Sequence, residues 1–131
     1  SMTVYLPGRN YSAGKALQKI QEQICEWKVR EYSEKLYPYF REKGVDFPEI
    51  SFRYLKSMWG CCRAKEHKLS FSYYLSAVPE TCIECVVAHE FTHFLVNGHG
   101  KDFYAVLDAL IPDRPARDKL LREYSVYTQS L

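Results

Sequence analysis

Residues 79–96 hold a run that is apolar on nearly every side of a helix: Ile83, Val86, Val87, Phe91, Phe94 and Leu95 leave no polar face. A helix of that kind is stable only when the rest of the fold surrounds it. Pro79 suits its first position and Glu80 adds favourable charge to its first turn. Asn97-Gly98 marks the end, which predicts a helix from about 79 to 96. A chain of 131 residues has room for one such core. The helix is therefore expected in the middle of a single domain spanning residues 1–131, although it also carries His89, Glu90 and His93.

The other elements are arranged around it. Leu17, Ile20, Ile24 and Trp27 recur at three- and four-residue spacing after Ser12, a residue able to cap a helix. This predicts an amphipathic helix over about 12–43, broken or kinked at Pro38 and ended near Gly44. Ile50, Phe52 and Tyr54 alternate with Ser51, Arg53 and Leu55; Leu69, Phe71 and Tyr73 alternate again. The two runs predict an antiparallel hairpin over about 48–75, with Trp59-Gly60-Cys61-Cys62 in a long connection. A helix over about 101–110 places Phe103, Leu107 and Leu110 on one face. After Pro112 and Pro115, a last helix to about 125 carries Leu120, Leu121 and Tyr124. Helix, hairpin and three helices make an α+β fold.

Composition excludes several functions. Hydrophobic residues at 47% and charged residues at 26% suit a folded globular chain, and 11 Tyr and 7 Phe predict an aromatic-rich core. A net charge of +2 with scattered basic residues does not indicate nucleic acid. No stretch has the apolar length of a membrane span. Ser1-Met2 reads as a cloning remnant before a native initiator, with no signal segment after it. Five cysteines cannot all pair, so free thiols in the reducing cytoplasm are expected. No Gly-rich phosphate loop or Ser-His-Asp arrangement is recognisable.

The chemistry lies in His89-Glu90-Phe91-Thr92-His93, an H-E-x-x-H pattern. Residues four apart share a helix face, so both imidazoles can reach one cation. Glu90, about 100° around the axis, can approach a metal-bound water without binding the ion. A reading as mere core histidines would bury Glu90 with no cation beside it, at a cost of several kcal/mol. A catalytic zinc needs a third protein ligand and an open fourth position. His99 is the prime candidate if the chain turns back at Asn97-Gly98; Asp102, Asp108 and Asp113 are carboxylate alternatives. One Zn2+ is therefore expected on His89, His93 and His99, with Glu90 as general base toward a peptide or protein substrate. A hydrolase of another amide or ester, and a binding module with a structural zinc closed by a fourth side chain, are the alternatives.

The remaining candidates are weaker. Tyr73, Tyr74, His67 and Arg53 could contact substrate or stabilise an oxyanion. Asp102 could orient His99 from behind, although an exposed helix-start aspartate is the plainer reading. Cys82 and Cys85, at a helix start that could lower a thiol pKa, could join Cys61 and Cys62 in a second zinc site; packing is the simpler account.

Lys56-Ser57-Met58-Trp59-Gly60-Cys61-Cys62, Val86-Val87-Ala88-His89-Glu90-Phe91-Thr92-His93 and Asn97-Gly98-His99-Gly100-Lys101-Asp102-Phe103 together resemble the YgjP-like metallopeptidases, a family of metal-dependent hydrolases akin to the SprT-like zinc proteases. The resemblance spans roughly residues 50–125. It implies a zincin-like fold, zinc on the three histidines and Glu90 as catalytic acid and base. Met58 and Cys61 stand where the family usually has Arg and Ser. Asn97 is displaced by one position, and Phe71-Ser72 replaces a common Asn. The SprT kinship suggests DNA-associated proteolysis by analogy only. Metzincins share the third-histidine offset, but need a Gly where Val96 stands and a Met after Met58.

Overall fold

The computed structural model describes residues 10–129, with side chains described over 14–124; the Ser1-Met2 reading lies outside them. Helix α1 (Asn10–Glu42) runs through Pro38 without ending there, and Ser12 falls inside it rather than at its cap. A proline removes one backbone hydrogen bond and crowds the carbonyl four residues back. Pro38 faces solvent, however, while Leu36 and Phe40 on either side are buried and hold this part of the helix to the core.

The face of α1 that meets the core differs from the one suggested by its large apolar residues. Leu17, Ile20, Ile24 and Trp27 are 38%, 51%, 48% and 58% exposed, whereas Cys25, Val29, Ser33, Leu36 and Phe40 are buried. Small residues hide this second stripe from a hydrophobicity reading. The Ser33 hydroxyl donates to the Val29 carbonyl at 2.7 Å, which satisfies its polarity within the helix. The Cys25 thiol donates to the Ser72 carbonyl at 3.8 Å.

The sheet also departs from expectation. It has three strands, β1 (Glu49–Arg53), β2 (Gly60–Arg63) and β3 (Lys68–Ser72), in the order β1-β3-β2. The two runs expected to form an antiparallel hairpin, β1 and β3, pair in parallel. The real hairpin is β2–β3, closed by a 3₁₀ turn over Ala64–Glu66 and by His67 in the left-handed region at φ 59°. Alternation reveals which side chains face the core but not strand direction. Of Trp59-Gly60-Cys61-Cys62, expected in the connection, the last three form with Arg63 a strand whose half-buried residues do not alternate.

Helix α2 (Glu80–Thr92) starts after Pro79 and packs against α1, β2, α3 (Lys101–Leu110) and α4 (Arg114–Gln129). Residues 82–88 and 90–92 are buried. The α-helix ends at Thr92, earlier than the apolar run suggests. Beyond it, Phe94 and Leu95 donate to carbonyls only three residues back, at 3.0 and 2.9 Å, so the last turn is tightened. Aromatic rings fill the centre, with Phe40 and Phe91 centroids 5.2 Å apart. No helix among the described residues is long and apolar enough to cross a membrane.

One charge cluster ties three helices together. Buried Glu84 on α2 accepts from Lys35 of α1 at 2.6 Å and from Arg117 of α4 at 2.7 Å. Arg117 also pairs with Asp113 at 2.9 Å. Burial pushes the Glu84 proton affinity up, but hydrogen bonds and charge from Lys35 and Arg117 outweigh it, and the pKa ends below the ordinary glutamate value. A depressed folded pKa means stabilisation that is present above the unfolded value and lost as pH falls through the folded one. Glu84→Gln should therefore cost about 1–3 kcal/mol at pH 7. The gap to the parent protein should narrow below about pH 4, as urea melts across pH would show.

Candidate metal centre

His89 and His93 lie one helical turn apart where α2 leaves the core, His93 being the residue that caps the helix. The chain then turns back so that His99 faces them. Gly98 makes this possible at φ 76°. A side chain there would meet no neighbour, so backbone conformation, not space, calls for glycine. Asn97, the other residue of the turn, keeps a negative φ.

The three rings converge. His99 Nε2 is 3.2 Å from His89 Nε2 and 3.2 Å from His93 Nε2. The three ligand atoms lie within 4.8 Å of one another and could hold a metal ion. The His93 Nδ1–H donates to the Val96 carbonyl at 3.2 Å, which leaves the Nε2 lone pair pointing at the other rings. Hydrogen bonding at both contacts would take a proton on His99 Nε2, whereas a cation can be faced by all three lone pairs at once. Burial, then the neighbouring histidine charges, lowers the His89 pKa to about 4; burial also lowers that of His93. Neutral imidazole is the ligating form.

Phe103, fully buried on α3, packs beneath all three. Its centroid is 4.8 Å from His89, 4.6 Å from His93 in a stacked arrangement, and 5.0 Å from His99. None of the aspartates considered as ligands joins this group. Asp102 is exposed in the first turn of α3, Asp108 binds Arg114 at 2.7 Å, and Asp113 binds Arg117.

Glu90 is buried between α2 and β2, 7% exposed, and burial alone raises its pKa to about 7. Strand β2 approaches so closely that a Cβ at Gly60 would lie 2.9 Å from Glu90 Cγ. Two cavities meet at Glu90 and His89. One, of about 750 Å³, lies between β2 and the three histidines. The other, of about 310 Å³, opens toward α4 and is lined by Met58, Trp59, Val86, Asp118, Leu121 and Arg122 among others. Spacing could not reveal the α4 residues, which stand some thirty positions beyond the H-E-x-x-H segment.

The four residues considered for substrate or oxyanion contact sit elsewhere. His67 bonds the Asp46 carbonyl at 2.5 Å and packs on Phe94. Tyr73 donates to Glu26 at 2.6 Å, and Tyr74 packs edge-on to Tyr54. Arg53 lines a separate site on the sheet with Arg63 and Lys68. None of the four lines either cavity beside Glu90. All five cysteines are free, and no second cluster of potential ligands forms among the described residues. The Cys82 and Cys85 thiols donate to the Arg117 carbonyl and to Asp118. Burial raises both pKa values, that of Cys85 to about 12, opposite to the activation a helix start could bring.

Replacing the ring under the three imidazoles should loosen them. Phe103→Leu is expected to weaken Co2+ or Zn2+ binding about 10–100-fold in chelator competition, with the Co2+ absorption bands reporting the altered geometry. Unchanged affinity in a folded variant would show that the ring has no orienting role. The sequence model of the YgjP-like metallopeptidase domain matches residues 4–124 of the chain. A search of curated proteins finds no match.

Proposed function

The chain belongs to the YgjP-like metallopeptidase family, and from this premise of metal-dependent hydrolysis we propose that it is a zinc peptidase whose ion is held by His89, His93 and His99, with Glu90 as general base. The observation that carries the proposal is the convergence of three Nε2 atoms beside a buried carboxylate at the meeting of two cavities. Nitrogens about 2.0–2.1 Å from a tetrahedral zinc lie about 3.3 Å apart, close to the 3.2 Å observed. No fourth Cys, His, Asp or Glu among the described residues completes the cluster, which favours catalysis over a closed structural site.

When bound, zinc supplies Lewis acidity that makes water acidic near neutral pH and polarises a carbonyl. Glu90 takes the proton from the attacking water and returns it to the leaving amine. Contact with Gly60 limits where the Glu90 carboxylate can move. The rings are held in orientation, His93 through Val96 and all three through Phe103.

A peptide suits the groove better than a compact amide or ester because β2 is a sheet edge. Ser72 N–H bonds the Trp59 carbonyl, and the antiparallel register continues through Cys61↔Ser70 and Arg63↔Lys68. By this parity Gly60 and Cys62 turn their N–H and C=O groups away from β3. An extended backbone can pair with such an edge.

Glu90→Gln should keep the metal, by elemental analysis, and lose about 10²–10⁴-fold in peptide turnover. Undiminished turnover would refute the role of Glu90. Gly60→Ala should also retain metal but lose about 10–100-fold in kcat, because the added methyl displaces the carboxylate. Parent-like kcat would mean that β2 does not set its position.

A further inference from the structure

We propose that the cavity toward α4 is the specificity pocket of this enzyme, receiving an apolar side chain, Leu- to Phe-like, from the substrate residue next to the scissile bond. The inference rests on the peptidase reading and adds the substrate class.

Position comes first. This cavity of about 310 Å³ and the larger histidine-lined groove share Met58, Gly60, His89 and Glu90. A backbone laid in the groove with its carbonyl at the reacting centre therefore has the mouth of the pocket within one residue. Side chains of an extended chain alternate in direction, so one adjoining the cleaved bond can turn away from the groove and enter.

Chemistry comes second. Trp59, Val86, Leu121 and the stem of Met58 supply an apolar lining. The charged side chains that α4 brings to the wall, Asp118 and Arg122, are both already engaged. Asp118 accepts from Arg114 at 3.2 Å and from the Cys85 thiol at 3.5 Å. Its negative charge is thus compensated from behind and does not stand ready for a lysine or arginine of the substrate. Burying a charged substrate group here would cost free energy without a new partner, whereas an apolar one gains by leaving water.

Placement of the wall on α4 has a further consequence. Leu121 and Asp118 lie one turn from Arg114 and Arg117, which hold α4 to α2 and α3 through Glu84 and Asp108. The α2 and α4 walls of the pocket are therefore held on clamped helices, and Met58 and Trp59 line it from the connection before β2.

Zinc-loaded protein tested on a peptide library should prefer Leu or Phe over Lys, Asp or Gly at one position adjoining the cleaved bond by more than tenfold in kcat/KM. Leu121→Trp, which fills the pocket, should reverse the Phe-to-Ala preference, and Leu121→Ala should extend it to larger rings. A preference unmoved by both folded variants would overturn the pocket assignment. Binding provides a second readout independent of turnover. In a Glu90→Gln, Trp27→Phe protein, Trp59 is the remaining tryptophan, and peptides with Leu or Phe at that position should change its fluorescence while Asp and Gly counterparts do not. An equal response to all four would likewise overturn the proposal. Selective binding without hydrolysis by the parent protein would sink the peptidase reading and leave the pocket standing.

Discussion

Helix α2 must be buried on nearly every side and still deliver its last turn to a cavity, and the rest of the molecule is arranged around that demand. Its apolar surface is covered by α1, α3, α4 and β2, so that each neighbouring element touches the helix that carries His89 and Glu90. Burial is the driving force, and it leaves little freedom in where the chain can approach. Polar chemistry survives in such surroundings only when each polar group has a partner or a purpose. Glu84 meets the first condition with two cationic partners. Glu90 has no ion pair among the described residues, and its raised pKa records the cost.

The contrast between these two glutamates, six residues apart on one helix, separates scaffold from site. Glu84 faces α1 and α4 and is held as an anion that fastens them. Glu90 faces β2, where a glycine lets the strand come into contact with its side chain. A carboxylate that is buried, unpaired and adjacent to converging imidazoles is costly to stability, and such a cost commonly marks a functional position.

The histidine cluster shows how short-range and long-range effects combine. His89 and His93 are neighbours because a helix makes them so, whatever surrounds it. His99 joins them through a local device, the left-handed Gly98. Their common support, Phe103, comes from the following helix and is buried by contacts with the core. Ring orientation therefore depends on α3 docking, whereas ring proximity depends on the turn.

What could be read from residues alone was set by local periodicity and local stereochemistry. The H-E-x-x-H face, the reversal before His99, the helix over Lys101–Leu110 and the α+β composition all follow from rules that act within a few residues. Strand direction did not, because alternation in β1 and β3 is equally compatible with parallel and antiparallel pairing. Nor did the buried face of α1, where Cys25 and Ser33 are inside and Trp27 is outside, since competing stripes on one helix are decided by what the sheet and α2 offer. The strand β2, the close approach of Gly60 to Glu90 and the wall supplied by α4 are likewise products of packing. Contacts between distant segments depend on shape and volume summed over the whole core, and no window of sequence contains that sum.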